Sequence, residues 1–357
     1  MNAVSASREI SFRILLKVHA GGYASDLLRH ESAALPPRDA ALAETLVFGC
    51  LRYQSQLDFL IAHYSGRPQP KLDLEVRAAL RLGIYQLRYL DRIPAHAAVA
   101  ESVELVKCAH KRSAAGFVNA VLRKVDRSPV RWPDRATELS IPAWMLERWE
   151  RFYGPAVAAG IAQAALAEPE LYVNPLTGRQ QDIGAQSIVP LLAIQPGMMV
   201  LDLCAAPGNK TAQAIAAGGR VIACDRYFRR LGEVPSQAAR VVLDAADPLP
   251  FSIQHESARF DRILIDAPCS GTGTLARNPE IKWRLAASDI IVFQGRQRTM
   301  IQRALPHLRR GGRLVYATCA LEQEENEAVI EGFRAIETLS RIPGRDPGDG
   351  FFAAVIE

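Results

Sequence analysis

Long apolar runs are missing from this chain: no stretch of 18 consecutive apolar residues occurs in its 357, so it offers no candidate for a membrane-spanning helix. The opening MNAVSASREISFRILLKVHAGGY has no extended apolar core behind a basic stretch and no small-residue cleavage pattern, and does not read as a secretory signal. Cysteine is sparse. None of Cys50, Cys108, Cys204, Cys224, Cys269 and Cys319 forms a C-x-x-C pair, which argues against a zinc site, and no metal is expected. Spread over the chain without an export signal, the six read as reduced thiols in a cytoplasm. The dinucleotide pattern G-x-G-x-x-G is absent. A P-loop is absent too, because Asn209 rather than glycine precedes Lys210. Internal repeats and low-complexity tracts are also missing.

What remains is ample for folding. Hydrophobic residues make up 49%, enough for sizeable cores, and the length suggests two or three domains. Charge is unevenly spread. Residues 1–130 carry 18 Lys/Arg against 12 Asp/Glu, a net +6, whereas residues 131–357 carry 25 against 26. A basic excess confined to the first third suggests a polyanionic partner, with a solvated helical surface as the plain alternative.

Residues 5–127 read as helical throughout. Ile10, Ile14 and Val18 recur at helical spacing, Pro94 suits a helix start, and Val99, Val103 and Val106 lie near one stripe. Residues 128–179 are punctuated by Pro129, Pro133, Pro142, Pro155 and Pro169 and read as a connector. Its Trp144, Trp149 and Phe152 suit packing against a neighbour better than stacking on RNA. From about residue 180 short apolar runs alternate with helical stretches. MMVLDLCAAP, RVIACD, ARVVLDA, FDRILIDAP and GRLVYATC read as five strands, with a helix in IIVFQGRQRTMIQRALPHL before the last. This alternation implies an α/β domain with a parallel sheet.

In such sheets the ligand crevice lies beyond the carboxyl ends of the strands. The strands deliver Asp202, Asp225, Asp244 and Asp266 there, together with Cys269 and Cys319. Small residues at Ala205, Ala206 and Gly208 let a ligand approach the backbone closely. Asp225 suits ribose hydroxyls, or simply caps its strand, and Lys210 suits a carboxylate. A ligand with a ribose, an adenine and a carboxylate fits this set, as S-adenosyl-L-methionine does. Cys319 precedes Glu322, Glu324, Glu325 and Glu327, which read as the acidic first turns of a helix. A helix start near Cys319 favours its thiolate. Either cysteine also reads as an inert buried thiol.

At this point the motifs resemble a known pattern. LDLCAAPGNKT, LIDAPCSGTGTLARNPEIKWR and LVYATCALEQEENE are similar to those of the S-adenosylmethionine-dependent RNA cytosine-C5 methyltransferases. LRLGIYQLRYLDRIPAHAAVAESVELVK and AGFVNAVLRK resemble the NusB-like RNA-binding domain, and the closing DGFFAAVIE completes a likeness to the RsmB (Sun/Fmu) type of bacterial 16S rRNA methyltransferases. The resemblance implies an all-α NusB-like bundle over 1–127, a helical connector with a shortened RNA-contacting subdomain over 128–179, and an α/β Rossmann-like class I methyltransferase domain with a mostly parallel sheet over 180–357.

By the same resemblance Cys319 matches the nucleophile and Cys269 the thiol that helps release the methylated product. Asp266 matches the carboxylate facing the cytosine, as hydrogen-bond partner or acid at N3. The segment Cys204, Ala205, Ala206, Pro207, Gly208, Asn209 and Lys210 matches the loop for the methionine part of the cofactor, Asp225 the ribose ligand, and Asp244 or the nearby Asp247 the adenine side. The expected reaction is cofactor-dependent methylation of C5 of a cytosine in 16S rRNA by a monomer. A tRNA substrate, or a non-catalytic rRNA-binding assembly factor, is the alternative. Three departures stand out. Asn209 replaces a glycine, where its tolerance of left-handed backbone would keep the loop. Ala320 replaces a serine. Tyr172–Leu176 runs almost directly into Gln181–Gln186, where relatives of this type carry a longer RNA-contacting region.

Overall fold

A computed structural model describes residues 4–66, 71–253, 256–257 and 259–357. The chain divides into two compact units, one of residues 1–167 with 276–284 and one of residues 168–275 with 285–357. The stretch read from sequence as a connector is therefore shared: 128–167 pack with the first unit and 168–179 with the second.

The first unit is helical. Its longer helices are Ala6–His19, Ala24–Glu31, Pro37–Arg52, Gln54–Ser65, Leu74–Tyr89, Ala95–Cys108 and Ala115–Leu122, followed by Ala143–Tyr153 and Pro155–Ala164. The expected stripes face inward with one shift. Ile14 and Val18 are buried, but in Ala95–Cys108 the buried face is Ala98, Ser102, Leu105 and Val106, which leaves Val99 and Val103 at its margin. Trp149 is fully buried, as packing rather than stacking requires, and the Arg148 guanidinium lies over Phe152.

Residues 276–284, which the sequence runs on from the Cys269 motif, belong to this helical unit. Arg52 donates twice to the Ala276 carbonyl, and the Trp283 indole donates to the Leu51 carbonyl at 2.7 Å. The Lys282 amine is buried and donates to the Arg52 and Ser140 carbonyls at 2.8 and 2.9 Å. Burial, and then the neighbouring Arg52 charge, push its pKa well below the usual lysine range.

The second unit is built on strands β1 (Met199–Asp202), β2 (Arg220–Asp225), β3 (Ala239–Val242), β4 (Ser252–Ile253), β5 (Glu256–Ser257), β6 (Phe260–Asp266), β7 (Leu308–Thr318), β8 (Ala335–Arg341) and β9 (Phe351–Ile356). Seven form one sheet in the order β3-β2-β1-β6-β7-β9-β8, and β4 and β5 make a separate antiparallel pair. The five strands from β3 to β7 run parallel, while β9 pairs antiparallel with both β7 and β8. The chain builds outward from β1 through β2 and β3, then returns to add β6 on the other side. The order thus reverses between β1 and β6, the point at whose carboxyl ends sheets of this kind take their ligands.

The central strands carry near-continuous apolar runs because both faces are covered. Alternate residues enter opposite cores. Val200, Leu264 and Val315 join one, and Leu201, Ile263, Ile265 and Tyr316 the other. The helix expected before β7 spans Ala287–Ala304. Among the described residues no helix is long and apolar enough to cross a membrane.

Candidate active site

The loop after β1 turns sharply into the helix Asn209–Ala216. Gly208 carries the turn. Its φ is +98°, and a Cβ there would come within 2.8 Å of the Val234 Cα, so only glycine fits. Asn209, expected to take up left-handed backbone, instead forms the first residue of the helix, because Gly208 already supplies the reversal. Ala205 and Ala206 are buried, Pro207 is exposed, and the Ala206 and Gly208 carbonyls accept from Arg230 and Arg179. Asp202 is buried and accepts from the Thr211 hydroxyl at 2.6 Å, tying β1 to the helix. Burial pushes its pKa up to about 7 despite that bond, and the Asp266 charge adds to the rise. Cys204, half-buried at the start of the loop, has its thiol raised well above the usual range by burial and by the Asp202 charge, so it stays protonated.

Lys210 and Asp266, read separately from the sequence, form one pair: Lys210 Nζ lies 2.7 Å from Asp266 Oδ2 and 5.3 Å from the centre of the Phe351 ring. The amine that suited a ligand carboxylate already holds a protein carboxylate. Asp225 is buried and its Oδ1 accepts from the Tyr227 N–H at 2.9 Å, capping the strand, while Oδ2 stands 3.7 Å from Arg230. Asp244 receives Arg296 on both carboxylate oxygens, at 2.6 and 2.5 Å. Burial acts to raise its pKa, but the hydrogen bonds from Arg296 and the Ala246 N–H, with the Arg296 and Arg226 charges, together outweigh it and hold the carboxyl below the usual range. Asp247 is exposed. All four aspartates therefore stand at or just beyond the carboxyl ends of parallel strands, but each has its own partner.

The two late cysteines meet. Cys269 follows β6, Cys319 follows β7, both are half-buried, and their Sγ atoms lie 3.3 Å apart. The hydrogen bond to Cys319, and then burial, push the Cys269 thiol well above the usual range. The flanking loops are laced together: the Ala267 N–H donates to the Ala317 carbonyl and the Gly273 N–H to the Cys319 carbonyl, both at 2.8 Å. A Cβ on Gly273 would meet the Gly350 carbonyl oxygen at 2.5 Å, so this approach requires glycine.

No helix begins at Cys319. The acidic run forms a short 3-10 turn, Gln323–Glu325, and a single helical turn, Glu327–Ile330. The polar groups that would have started a helix close the loop instead. The Thr318 hydroxyl donates to Asn326 Oδ1 at 2.6 Å, and the Asn326 amide donates to the Ala320 carbonyl at 3.0 Å. Sequence reading placed Glu325 only in an acidic helix start and missed Gln297. The signal for Gln297 was its place on the buried face of Ala287–Ala304, in line with Ile290, Ile301 and Ala304, where an amide needs partners.

A family model described as 16S rRNA methyltransferase RsmB/F matches residues 189–339, and the NusB family model matches residues 5–127. Ribosomal RNA small subunit methyltransferase B of Erwinia tasmaniensis is 31% identical over 94% of this chain and 95% of its own length. The protein of the same name in Escherichia coli O127:H6 is 32% identical over the same shares. The alignment to each runs over 408 positions, more than the 357 residues here, so these relatives carry stretches with no counterpart in this chain. The crystal structure of PH0851 superposes with a TM-score of 0.77 over 98% of both chains, at 19% identity, a likeness of fold.

Proposed function

This chain belongs to the RsmB/F family of 16S rRNA methyltransferases, and from that premise we propose that it methylates C5 of a cytosine in 16S rRNA, using S-adenosyl-L-methionine and a transient bond between Cys319 and C6 of the base. The observation that carries this reading is the 3.3 Å contact between the Cys269 and Cys319 sulfurs on the sheet edge that also holds the Lys210–Asp266 pair.

The residues fit the cofactor. The small side chains of Ala205, Ala206 and Gly208 leave the backbone open to close approach, and the strand-end carboxylate of Asp225 matches a ribose diol. On this reading the segment Cys204 to Lys210 holds the methionine part, Asp225 the ribose, and Asp244, braced by Arg296, the adenine side. When bound, S-adenosyl-L-methionine supplies a methyl group activated by its sulfonium.

The protein prepares the base. Attack of the Cys319 thiolate on C6 makes C5 nucleophilic. Asp266, anchored through one oxygen by Lys210, meets N3 as hydrogen-bond partner or acid and stabilises the charge that develops. After methylation the C5 proton must leave so that the C5–C6 double bond can re-form and expel the Cys319 sulfur. Cys269 serves that step as the base: its own proton passes to solvent, its sulfur takes the C5 proton, and the C5–H electron pair re-forms the double bond and expels Cys319 as a thiolate. Its thiol holds its proton chiefly through the hydrogen bond to Cys319, and that restraint weakens once the Cys319 sulfur is bonded to carbon. The base must leave any stack to reach the sulfur.

The positive first third, within the NusB-matched residues, supports RNA contact by the helical unit. We place the missing RNA-contacting stretch at 172–186, where an antiparallel bridge between Val173 and Gln180 closes a tight turn. On this reading the protein acts in the cytoplasm as a monomer. Bisulfite mapping of 16S rRNA from a deletion strain tests the proposal. One methylcytosine disappears, wild-type protein restores it, and the Cys319→Ala variant does not. An unchanged rRNA map favours an assembly factor, and a loss in tRNA instead moves the substrate.

A further inference from the structure

The turn that carries Cys269 rests on a buried carboxyl that the chemistry above does not use. Glu325 Oε2 accepts the Ser270 N–H at 2.8 Å and the Gln297 amide at 3.0 Å, and the same Gln297 nitrogen donates to the Pro268 carbonyl at 3.0 Å. Glu325 and Gln297 thus grip Cys269 from both sides in sequence. Both side chains are fully buried.

Two oxygens in this cluster lack a donor among the described residues: Glu325 Oε1 and Gln297 Oε1. They belong to side chains already joined through their other polar atoms. One proton on Glu325 Oε1 supplies a donor to a cluster in which Gln297 Oε1 lacks one, the pairing of a carboxylic acid with an amide. Turning the Gln297 amide over does not help. It would set its oxygen against the Pro268 carbonyl and Glu325 Oε2, both acceptors.

We propose that Glu325 is held as an uncharged carboxylic acid and is the positioning residue for Cys269, fixing the Pro268–Ser270 turn so that the two sulfurs stay in contact. This rests on the reading of Cys269 as the release thiol. The groups facing Glu325 among the described residues are the Ser270 N–H and hydroxyl, the Gln297 amide, the Tyr316 hydroxyl on its backbone carbonyl, the Cys269 thiol and the Glu322 carboxyl, none of them cationic. Burial and the Glu322 charge accordingly favour the protonated form, against the pull of the Ser270 and Gln297 bonds.

The test compares Glu325→Gln and Glu325→Ala with Cys269→Ala in the full-length chain, using rRNA fragment and S-adenosyl-L-methionine. A glutamine reproduces one acceptor and one donor, so Glu325→Gln keeps wild-type turnover. Glu325→Ala unties the turn, and product release slows about tenfold or more. It then collects a covalent protein–RNA adduct on denaturing gels, as Cys269→Ala does. Infrared spectra at neutral pH show a protonated-carboxyl band that Glu325→Gln removes. Adduct in Glu325→Gln at the level of Glu325→Ala, or loss of a carboxylate band instead, overturns the uncharged acid. Free product release by Glu325→Ala while Cys269→Ala traps adduct overturns the positioning role. Absence of adduct in Cys269→Ala itself sinks the release reading, and the infrared band then decides the state of Glu325 by itself.

Discussion

Replacing Asp202 by Asn removes a carboxyl whose pKa stands at about 7 in the folded protein, against about 3.9 in an unfolded chain. The folded state therefore keeps a proton over that window which the unfolded chain has lost. This stabilising contribution is fully present below the unfolded pKa and disappears as pH rises through the folded one. Above it, an ionised carboxylate sits in a site that is 1% exposed, where the Thr211 hydroxyl, the Cys204 backbone and the Lys210 charge do not offset burial. At about 1.4 kcal/mol per unit, the wild type loses roughly 3 kcal/mol relative to the Asn variant between about pH 4.5 and about pH 8.5. The amide still accepts from Thr211, so the loop keeps its tie. Urea unfolding of both proteins at intervals across that range measures the difference directly, and groups common to both cancel. A stability difference that stays constant with pH would refute the assignment of Asp202 as the buried titrating group.

Cys319→Ala should abolish methyl transfer while leaving S-adenosylhomocysteine affinity by calorimetry unchanged, since no part of the loop from Cys204 to Lys210 is disturbed. Lys210→Met strips the partner from Asp266 and leaves its carboxylate near buried Asp202. With Asp266 about a third exposed, the expected loss is about 1–3 kcal/mol in denaturant unfolding. Trp283→Phe deletes the indole bond to the Leu51 carbonyl, and the helical unit should melt earlier by a loss of about 1–2 kcal/mol. RNA binding measured between about 50 and about 200 mM salt should weaken steeply if the basic helical unit meets phosphates. A flat response would leave its charge as a solvated surface.

Much of the fold was legible because its patterns are local. The central strands declare themselves as β-rich apolar runs ending in aspartate, and the helical third as stripes at helical spacing. The last two sheet strands were not. Phe351–Ile356 is six buried residues with no polar alternation, and Ala335–Arg341 is a largely exposed edge, so neither shows period two. At the site, the sequence located Cys269, Cys319, Asp266 and Lys210 by their strand ends, but not who touches whom. The Lys210–Asp266 pair joins residues 56 apart and the two sulfurs residues 50 apart, distances that only the sheet order closes. The acidic run after Cys319 misled because Glu325 and Asn326 spend their polar atoms on the neighbouring loop rather than on a helix start. Residues 276–284 carry no sign in their composition that they pack with the helices.

The central claim is that the sulfur of Cys319 bonds to the substrate base. Incubating the Cys269→Ala variant with its rRNA fragment and S-adenosyl-L-methionine, then digesting the trapped complex and sequencing the peptide by mass spectrometry, reads that bond directly. The nucleotide should be found on the peptide containing Cys319, carrying one added methyl. A nucleotide on any other residue, or methylated RNA released freely with no trapped peptide, would contradict the account.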